Sequence, residues 1–259
     1  MRTQHGKLEL VFGWSDGKTV LRHSYHQTPL QIIRPFELEP NTLTLTIINP
    51  TAGIMGGDQF EISVVLEPQA KVILLTQSAS KIHKMHLGES ATQNLHFEIA
   101  NQARLEYYPQ RIIPFAESEF SQSSQINLEP HAEFAMLETW ASGRIAKNER
   151  LAFRRYANQT RVFIAGRLEY LERYNLEPSR ADYAALGLLE QQTHSLSGVF
   201  IGQTKTAFEL PVQHGKTQSG HTWVRALSQD NVVLDRAIQT TRDTLRQAFF
   251  NLPAMQIRT

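Results

Sequence analysis

The amino-acid sequence predicts a mainly β protein of stacked strand layers, solenoid-like or sandwich-like, with one α-helical element at its C-terminal end. Three observations carry that prediction. Apolar and polar residues alternate with period two through the first two thirds, a turn signal returns roughly every 30 residues, and one long helical stripe follows residue 230.

The alternation is clearest in Leu43-Thr44-Leu45-Thr46-Ile47-Ile48, in Phe60-Glu61-Ile62-Ser63-Val64 and in Leu95-His96-Phe97-Glu98-Ile99. Successive side chains of a strand point to opposite faces, so this pattern marks strands with one buried face. Val72-Ile73-Leu74-Leu75 is apolar without a break, which predicts a strand covered on both faces. Four tetrapeptides sit between alternating segments: Glu39-Pro40-Asn41-Thr42, Glu67-Pro68-Gln69-Ala70, Ala100-Asn101-Gln102-Ala103 and Glu129-Pro130-His131-Ala132. Their starts at 39, 67, 100 and 129 lie 28, 33 and 29 residues apart. Proline, asparagine and a small residue suit a tight turn. Such spacing fits either stacked solenoid layers or four unrelated hairpins in a sandwich or barrel.

Before residue 180 hardly any apolar stripe has helical spacing. From Asn231 to Phe250, Val233, Leu234, Ala237, Ile238, Thr241, Leu245, Ala248 and Phe249 share one helical face. Ser228 or Asp230 caps its start, and Pro253 lies just past its end. Residues 180–190 are expected to form a shorter helix, and residues 212–222, with Gly215, Ser219 and Gly220, a loop. The expected organisation is one domain over 1–259, with its β-rich body over about 8–210 and the helix over about 230–251.

Composition excludes more than it assigns. The 259 residues contain no cysteine, so disulfides, thiolate catalysis and cysteine-held metal are absent. Twenty-six Lys+Arg balance 25 Asp+Glu, which gives no global attraction to nucleic acid or an acidic membrane. No apolar run approaches the ~18–20 residues that span a bilayer, and Leu8-Glu9-Leu10-Val11-Phe12 is too short for a signal sequence. The expected location is the cytoplasm.

Motifs for nucleotide chemistry are missing. Gly215-Lys216-Thr217 resembles the end of a phosphate loop, but the required first glycine falls on Leu210. His83-Lys84-Met85-His86 and the pair His23 and His26 have only a weak metal spacing with no third ligand, so no tight metal site is predicted. Asp58 follows Gly56-Gly57 before a strand, and Glu106 and Glu138 end alternating segments. A glycosidase would need two such carboxylates about 5–10 Å apart. Between 144 and 180, nine basic residues (Arg144, Lys147, Arg150, Arg154, Arg155, Arg161, Arg167, Arg173, Arg180) face four acids, with Phe153, Tyr156, Phe163, Tyr170 and Tyr174 interleaved. That segment reads as the outer face of aromatic-lined strands, as a nucleic-acid stripe, or as a docking face for an acidic protein.

Four segments, in order, resemble the urease accessory protein family UreD, also called UreH. They are Asn49-Pro50-Thr51-Ala52-Gly53-Ile54-Met55-Gly56-Gly57-Asp58, Leu75-Thr76-Gln77-Ser78-Ala79-Ser80-Lys81-Ile82-His83, Leu105-Glu106-Tyr107-Tyr108-Pro109-Gln110 with Ile113-Pro114-Phe115, and Gly143-Arg144-Ile145-Ala146-Lys147-Asn148-Glu149-Arg150-Leu151-Ala152-Phe153. Position 148 is Asn where the family usually has Gly, and beyond about residue 175 the likeness is diffuse.

The resemblance implies a non-enzymatic scaffold. Its expected partners are urease apoprotein, UreF and, through UreF, the GTPase UreG, with no nucleic acid and no membrane. Its cargo is Ni²⁺, bound transiently rather than as a resident cofactor. Asp58, Glu106 and Glu138, with His83, are then expected to line an internal polar path of oxygen and nitrogen ligands. Gly56, Gly57 and Gly143 permit turns or close approach. Lys81, Arg144 and Glu149 either serve the function or form buried ion pairs, and Gln77, Gln110 and Pro114 complete the family motifs. Two competing readings are a carbohydrate-active β-solenoid using a carboxylate pair, and a nucleic-acid binder working through 144–180.

Overall fold

The computed structural model describes residues 3–185, 189–204 and 206–255. The chain opens with the hairpin β1 (His5–Ser15) and β2 (Lys18–Gln27), followed by short strands β3 (Gln31–Ile32) and β4 (Phe36–Glu39) and by β5 (Thr42–Ile48). It then winds through β6 (Gln59–Leu66), β7 (Lys71–Thr76), β8 (Ser80–Ile82), β9 (Ala91–Ile99), β10 (Arg104–Tyr108), β11 (Ile112–Pro114), β12 (Glu119–Leu128) and β13 (Glu133–Ala141). After a 3₁₀ turn at Ile145–Lys147 come β14 (Arg155–Ile164), β15 (Arg167–Leu176), β16 (His194–Ile201), β17 (Gln213–Lys216) and β18 (Thr222–Ser228). Helix α1 (Asn231–Leu245) ends in a π-helical turn, Arg246–Phe250.

Two sheets face each other. The first runs β15-β14-β12-β9-β6-β1-β2, and the second runs β17-β18-β16-β13-β10-β7-β5-β3. In each sheet the middle strands are parallel: β1, β6, β9, β12 and β14 on one side, β5, β7, β10 and β13 on the other. The chain therefore coils, crossing from one sheet to the other and back one rung higher. Register follows the repeat in the sequence, with Leu43 beside Val72, Val72 beside Leu105 and Leu105 beside Phe134.

Three of the four tetrapeptides are the corners of this coil. Gln69, Gln102 and His131 hold φ of 69°, 60° and 61°, the left-handed third position of a tight turn whose second residue is Pro68, Asn101 or Pro130. Each corner closes with the fourth residue's N–H on the first residue's carbonyl, at 3.2, 3.0 and 3.2 Å. The fourth residues, Ala70, Ala103 and Ala132, are buried where the sheets converge, which is why they are small. The first tetrapeptide differs. Asn41 has the same left-handed backbone (φ 64°), but it closes the antiparallel hairpin β4–β5.

The main core lies between the sheets. Leu10, Val64, Phe97, Ile126 and Val162 form one inward ladder across five parallel strands. Phe97 packs edge-on to Tyr107 at 5.3 Å and beside Phe134 at 6.5 Å. Burying each such side chain contributes about 1.5–3 kcal/mol. A second apolar layer lies outside the second sheet, under α1, and includes Ile73, Leu137, Phe200, Leu245 and Phe249. Strand β7 is thus covered on both faces, as its unbroken apolar run requires. Val72 and Leu74 point into the sandwich, and Ile73 points under the helix.

The helix begins where Asp230 Oδ1 accepts the N–H groups of Val232 and Val233 at 2.7 and 3.2 Å. Ser228 supports this cap by accepting the Asp230 N–H. The buried face is not wholly apolar. Val233 is exposed, whereas Arg242 and Arg246 are buried beside Leu234, Thr241 and Leu245. Two further expectations need correction. Residues 212–222 contain β17 and the start of β18, a hairpin whose turn is 217–220, so strands continue past 210. The described part of 180–190 is turns, not helix, and 186–188 lie outside the described residues.

Candidate functional site

Parity along the strand sets the fate of the two strand carboxylates. In β10, Leu105 and Tyr107 face the core, so Glu106 points out of the second sheet toward the helix. In β13, Met136 and Trp140 face the core, so Glu138 points between the sheets. Both sit mid-strand rather than at strand ends.

Glu106 is fully buried and belongs to an ion-pair cluster. Its Oε2 accepts from Arg246 Nε at 2.6 Å and from the Tyr108 hydroxyl at 2.9 Å, and Arg104 approaches its other oxygen at 3.4 Å. Arg246 also binds Glu39. The neighbouring carboxylates hold the buried guanidinium above its usual range, against the opposing effect of burial. This cluster fastens the end of the helix to the second sheet.

Asp58 is also buried, and it caps backbone. Oδ1 accepts the Gln4 N–H at 2.9 Å and Oδ2 the Met55 N–H at 2.8 Å. Gly56 and Gly57 precede it in the tight connection into β6. His83 Nε2 lies 3.0 Å from the Ala52 carbonyl, and its ring meets Phe115 edge-on at 4.9 Å. Lys81 is exposed on β8, while Pro114 is buried in β11 beside Ile82. Arg144 and Glu149 form a bidentate pair, and Glu149 also accepts the Ala116 N–H. That contact with the guanidinium lowers the Glu149 carboxyl. Gly143 has φ 138°, and a Cβ there would lie 1.7 Å from the Glu149 carbonyl oxygen. Asn148 takes the left-handed conformation, φ 58°, which asparagine tolerates better than most residues. The turn therefore keeps a glycine-like shape despite the substitution.

Glu138 alone of these groups lies on a polar seam through the core. Gln122 of β12 donates to its Oε1, and Asn158 Nδ2 of β14 donates to Oε2 at 2.6 Å. Gln93 of β9 donates to Gln122 Oε1 at 2.9 Å. On the far side, Asn158 Nδ2 also reaches the Tyr174 hydroxyl at 3.1 Å. Burial raises the Glu138 carboxyl above its usual range, opposed by the Asn158 and Gln122 amides. Trp140 and Tyr156 stack edge-on at 5.2 Å beside it.

A cavity lies at each end of the seam, the first reaching Glu138 and the second reaching Tyr174. A narrow cavity of about 50 Å³ runs between Gln77, Ser78, Gln110, Gln93, Gln122 and Glu138. A wider cavity of about 700 Å³ on the opposite flank is bordered by Trp140, Tyr174, Glu172 and Arg225. Glu172 is held there by Arg225 at 3.0 Å and by the Tyr170 hydroxyl at 2.6 Å. The family-motif residues Gln77 and Gln110 thus form one mouth, together with Glu138 inside. Asp58, His83 and Glu106 stand apart from this line.

Sequence reasoning missed Gln93, Gln122 and Asn158, and read Tyr174 only as one of the aromatics interleaved in the basic segment. Their signal was present: Gln122 and Ser124, like Asn158 and Thr160, fall on the inward parity of strands whose other inward residues are apolar. Among the described residues no group of three His, Cys, Asp or Glu side chains converges on a metal position. Glu106 and Glu138 face opposite sides of one sheet, so they make no acid pair across a sugar. Phe153, Tyr156, Tyr170 and Tyr174 are packed into the main core and offer no stacking surface to bases. Much of the basic excess is tied down within the fold. Arg154 donates to the carbonyls of Met85, His86 and Glu89 at 2.9 Å, and Arg180 pairs with Glu177.

The family model described as UreD urease accessory protein matches residues 4–259. The chain belongs to the UreD family. The urease accessory protein UreD of Deinococcus radiodurans is 38% identical, covering 99% of this chain and 95% of that protein. UreD of Acetivibrio thermocellus is 34% identical over 89% of this chain and 93% of its own length. A UreD 1 protein of a Synechococcus strain is 31% identical over 97% and 94%. The UreD likeness therefore includes the region beyond residue 175, where the motifs alone were diffuse. Within this UreD-family fold, no helix among the described residues is long and apolar enough to cross a membrane.

Proposed function

We propose that this chain is a non-catalytic scaffold of urease maturation, which lets Ni²⁺ pass through its core along the Glu138 seam. Membership of the urease accessory family supports the maturation role. One observation supports the passage: a buried carboxylate lines one cavity and is joined by an amide and a hydroxyl to the wall of a second. Carboxylate, amide and water oxygens bind divalent ions more weakly than thiolates do, which suits a cargo that must be released. The expected partners are urease apoprotein and UreF, with UreG joining through UreF. A GTPase partner also accounts for a chain that carries no phosphate loop.

The test is complementation. A urease operon lacking its UreD component is supplied with wild-type chain, Glu138→Gln or Glu138→Leu, and purified urease is assayed for nickel and activity. Both variants should slow nickel loading about tenfold, equivalent to roughly 1.4 kcal/mol in the barrier. Wild-type loading by both variants, or no restoration by the unaltered chain with its cognate partners present, would refute the passage or the role respectively.

A further inference from the structure

One atom of the seam is unsatisfied. Asn158 is 2% exposed, and both contacts of its amide nitrogen are made, yet its Oδ1 is buried with no hydrogen-bond partner. Leaving a buried carbonyl unpaired costs about 1–3 kcal/mol, and folded proteins keep few such groups. Gln122 presents the same polarity to the carboxylate, with its nitrogen on Glu138. Two amides thus turn their donors toward one carboxylate and their acceptors away from it.

The terminal torsion of Asn and Gln is broad and roughly two-fold. A half-turn exchanges NH₂ for C=O in nearly the same space. Gln122 Oε1 now accepts from Gln93, so Gln93 must turn with it and offer its own oxygen to the reversed Gln122 amide. With Gln122 and Asn158 so reversed, Gln122 Oε1 and Asn158 Oδ1 would lie beside the Glu138 carboxylate, giving three residues with oxygens around one point. The narrow cavity that reaches Glu138 holds only about 50 Å³. An ion entering it meets Glu138, Gln122 and Gln93 in the wall, so protein oxygens are at hand to replace part of its water.

We propose that Gln122 and Asn158 complete, with Glu138, an all-oxygen site for a divalent cation that forms when both amides reverse, and that Asn158 passes the ion on toward Tyr174. The proposal deepens the passage reading and rests on it. It assigns the amides a role distinct from holding the empty carboxylate. The unpaired oxygen belongs to Asn158, the seam amide that hydrogen-bonds both Glu138 and Tyr174.

The experiment uses the full-length chain with its partners present where solubility requires them. Mn²⁺ binding is followed by loss of the free-ion EPR signal, and Ni²⁺ binding by equilibrium dialysis. The difference between wild type and Glu138→Gln isolates the seam from surface histidines. Asn158→Asp, nearly isosteric and one charge richer, should bind Mn²⁺ about tenfold more tightly yet release Ni²⁺ to urease more slowly. Gln122→Met and Asn158→Leu should bind about tenfold more weakly. If Asn158→Leu does not fold, the other two variants decide. Binding and nickel transfer unchanged in these variants would overturn the amide site, and so would a wild type that binds no more Mn²⁺ than Glu138→Gln. Unaltered amide variants alongside an impaired Glu138→Gln would leave the passage standing. Wild-type maturation by Glu138→Gln would remove the passage itself.

Discussion

Glu106 and Glu138 are buried carboxylates in neighbouring strands of one sheet, and they face opposite ways. Glu106 compensates Arg246, which is wholly buried. Removing one partner of such a pair leaves a charge without its counter-ion, at a cost of about 3–5 kcal/mol. Glu106→Ala should therefore lower stability by that order in chemical denaturation. A double change to Met at 106 and Leu at 246 should recover part of the loss. Glu138 makes its contribution through pH. Its folded-state value is raised by burial, so the stability linked to it is fully present below the ordinary carboxylate value. That stability is lost as pH rises through the raised value. Glu138→Gln lacks this loss. Thermal midpoints between about pH 4 and 8 should show the variant gaining on wild type as pH rises, and parallel curves would contradict the assignment.

At the scale of elements, alternation was legible wherever one face met the core, as in β5, β6 and β9. The two-faced burial of β7 was legible too, because Val72, Ile73 and Leu74 leave no polar side. The cap and extent of α1 followed from Asp230 and the stripe ending at Phe249. Most of its buried face was legible as well, since Leu234, Thr241, Leu245, Ala248 and Phe249 are buried as the stripe predicts, but burial of two arginines beside them was not. Arg242 and Arg246 are charged, and burial of Arg246 depends on the counter-charges of Glu106 and Glu39, distant in sequence, with the Pro253 carbonyl accepting one further N–H at 2.9 Å. The β17–β18 hairpin was hidden because Gly215, Ser219 and Gly220 suit a loop as well as an edge strand. Of the candidate site, the Gln77 and Gln110 mouth and Glu138 could be named, but their alignment depends on register between rungs. The segment after β13 is tested by Gly143→Ala. With a Cβ set against the Glu149 backbone, the change should cost about 2–4 kcal/mol and loosen the Arg144–Glu149 pair, measurable by thermal melt.

For the whole molecule, the recurrence of turn signals was compatible with coil or hairpins, and the fold contains both. Corners at 67–70, 100–103 and 129–132 turn the chain from one sheet to the other, while the same signal at 39–42 folds it back on itself. The local chemistry of the four turns is nearly the same. What differs is the next strand: β5 pairs with β4 before it, but β7, β10 and β13 pair with strands of other rungs. Tetrapeptide composition cannot encode that choice, because it is made by distant hydrogen-bonding partners.

The seam draws Gln93, Gln122, Glu138, Asn158 and Tyr174 from five different strands, β9, β12, β13, β14 and β15. These residues meet only when consecutive rungs have stacked in the correct order. A chain emerging from the ribosome has no such meeting place until residue 158 is laid against Gln122. A chain that slips by one rung never acquires it. The fold thereby makes its polar passage a certificate of finished assembly: an incomplete or misthreaded copy lacks the means to accept cargo.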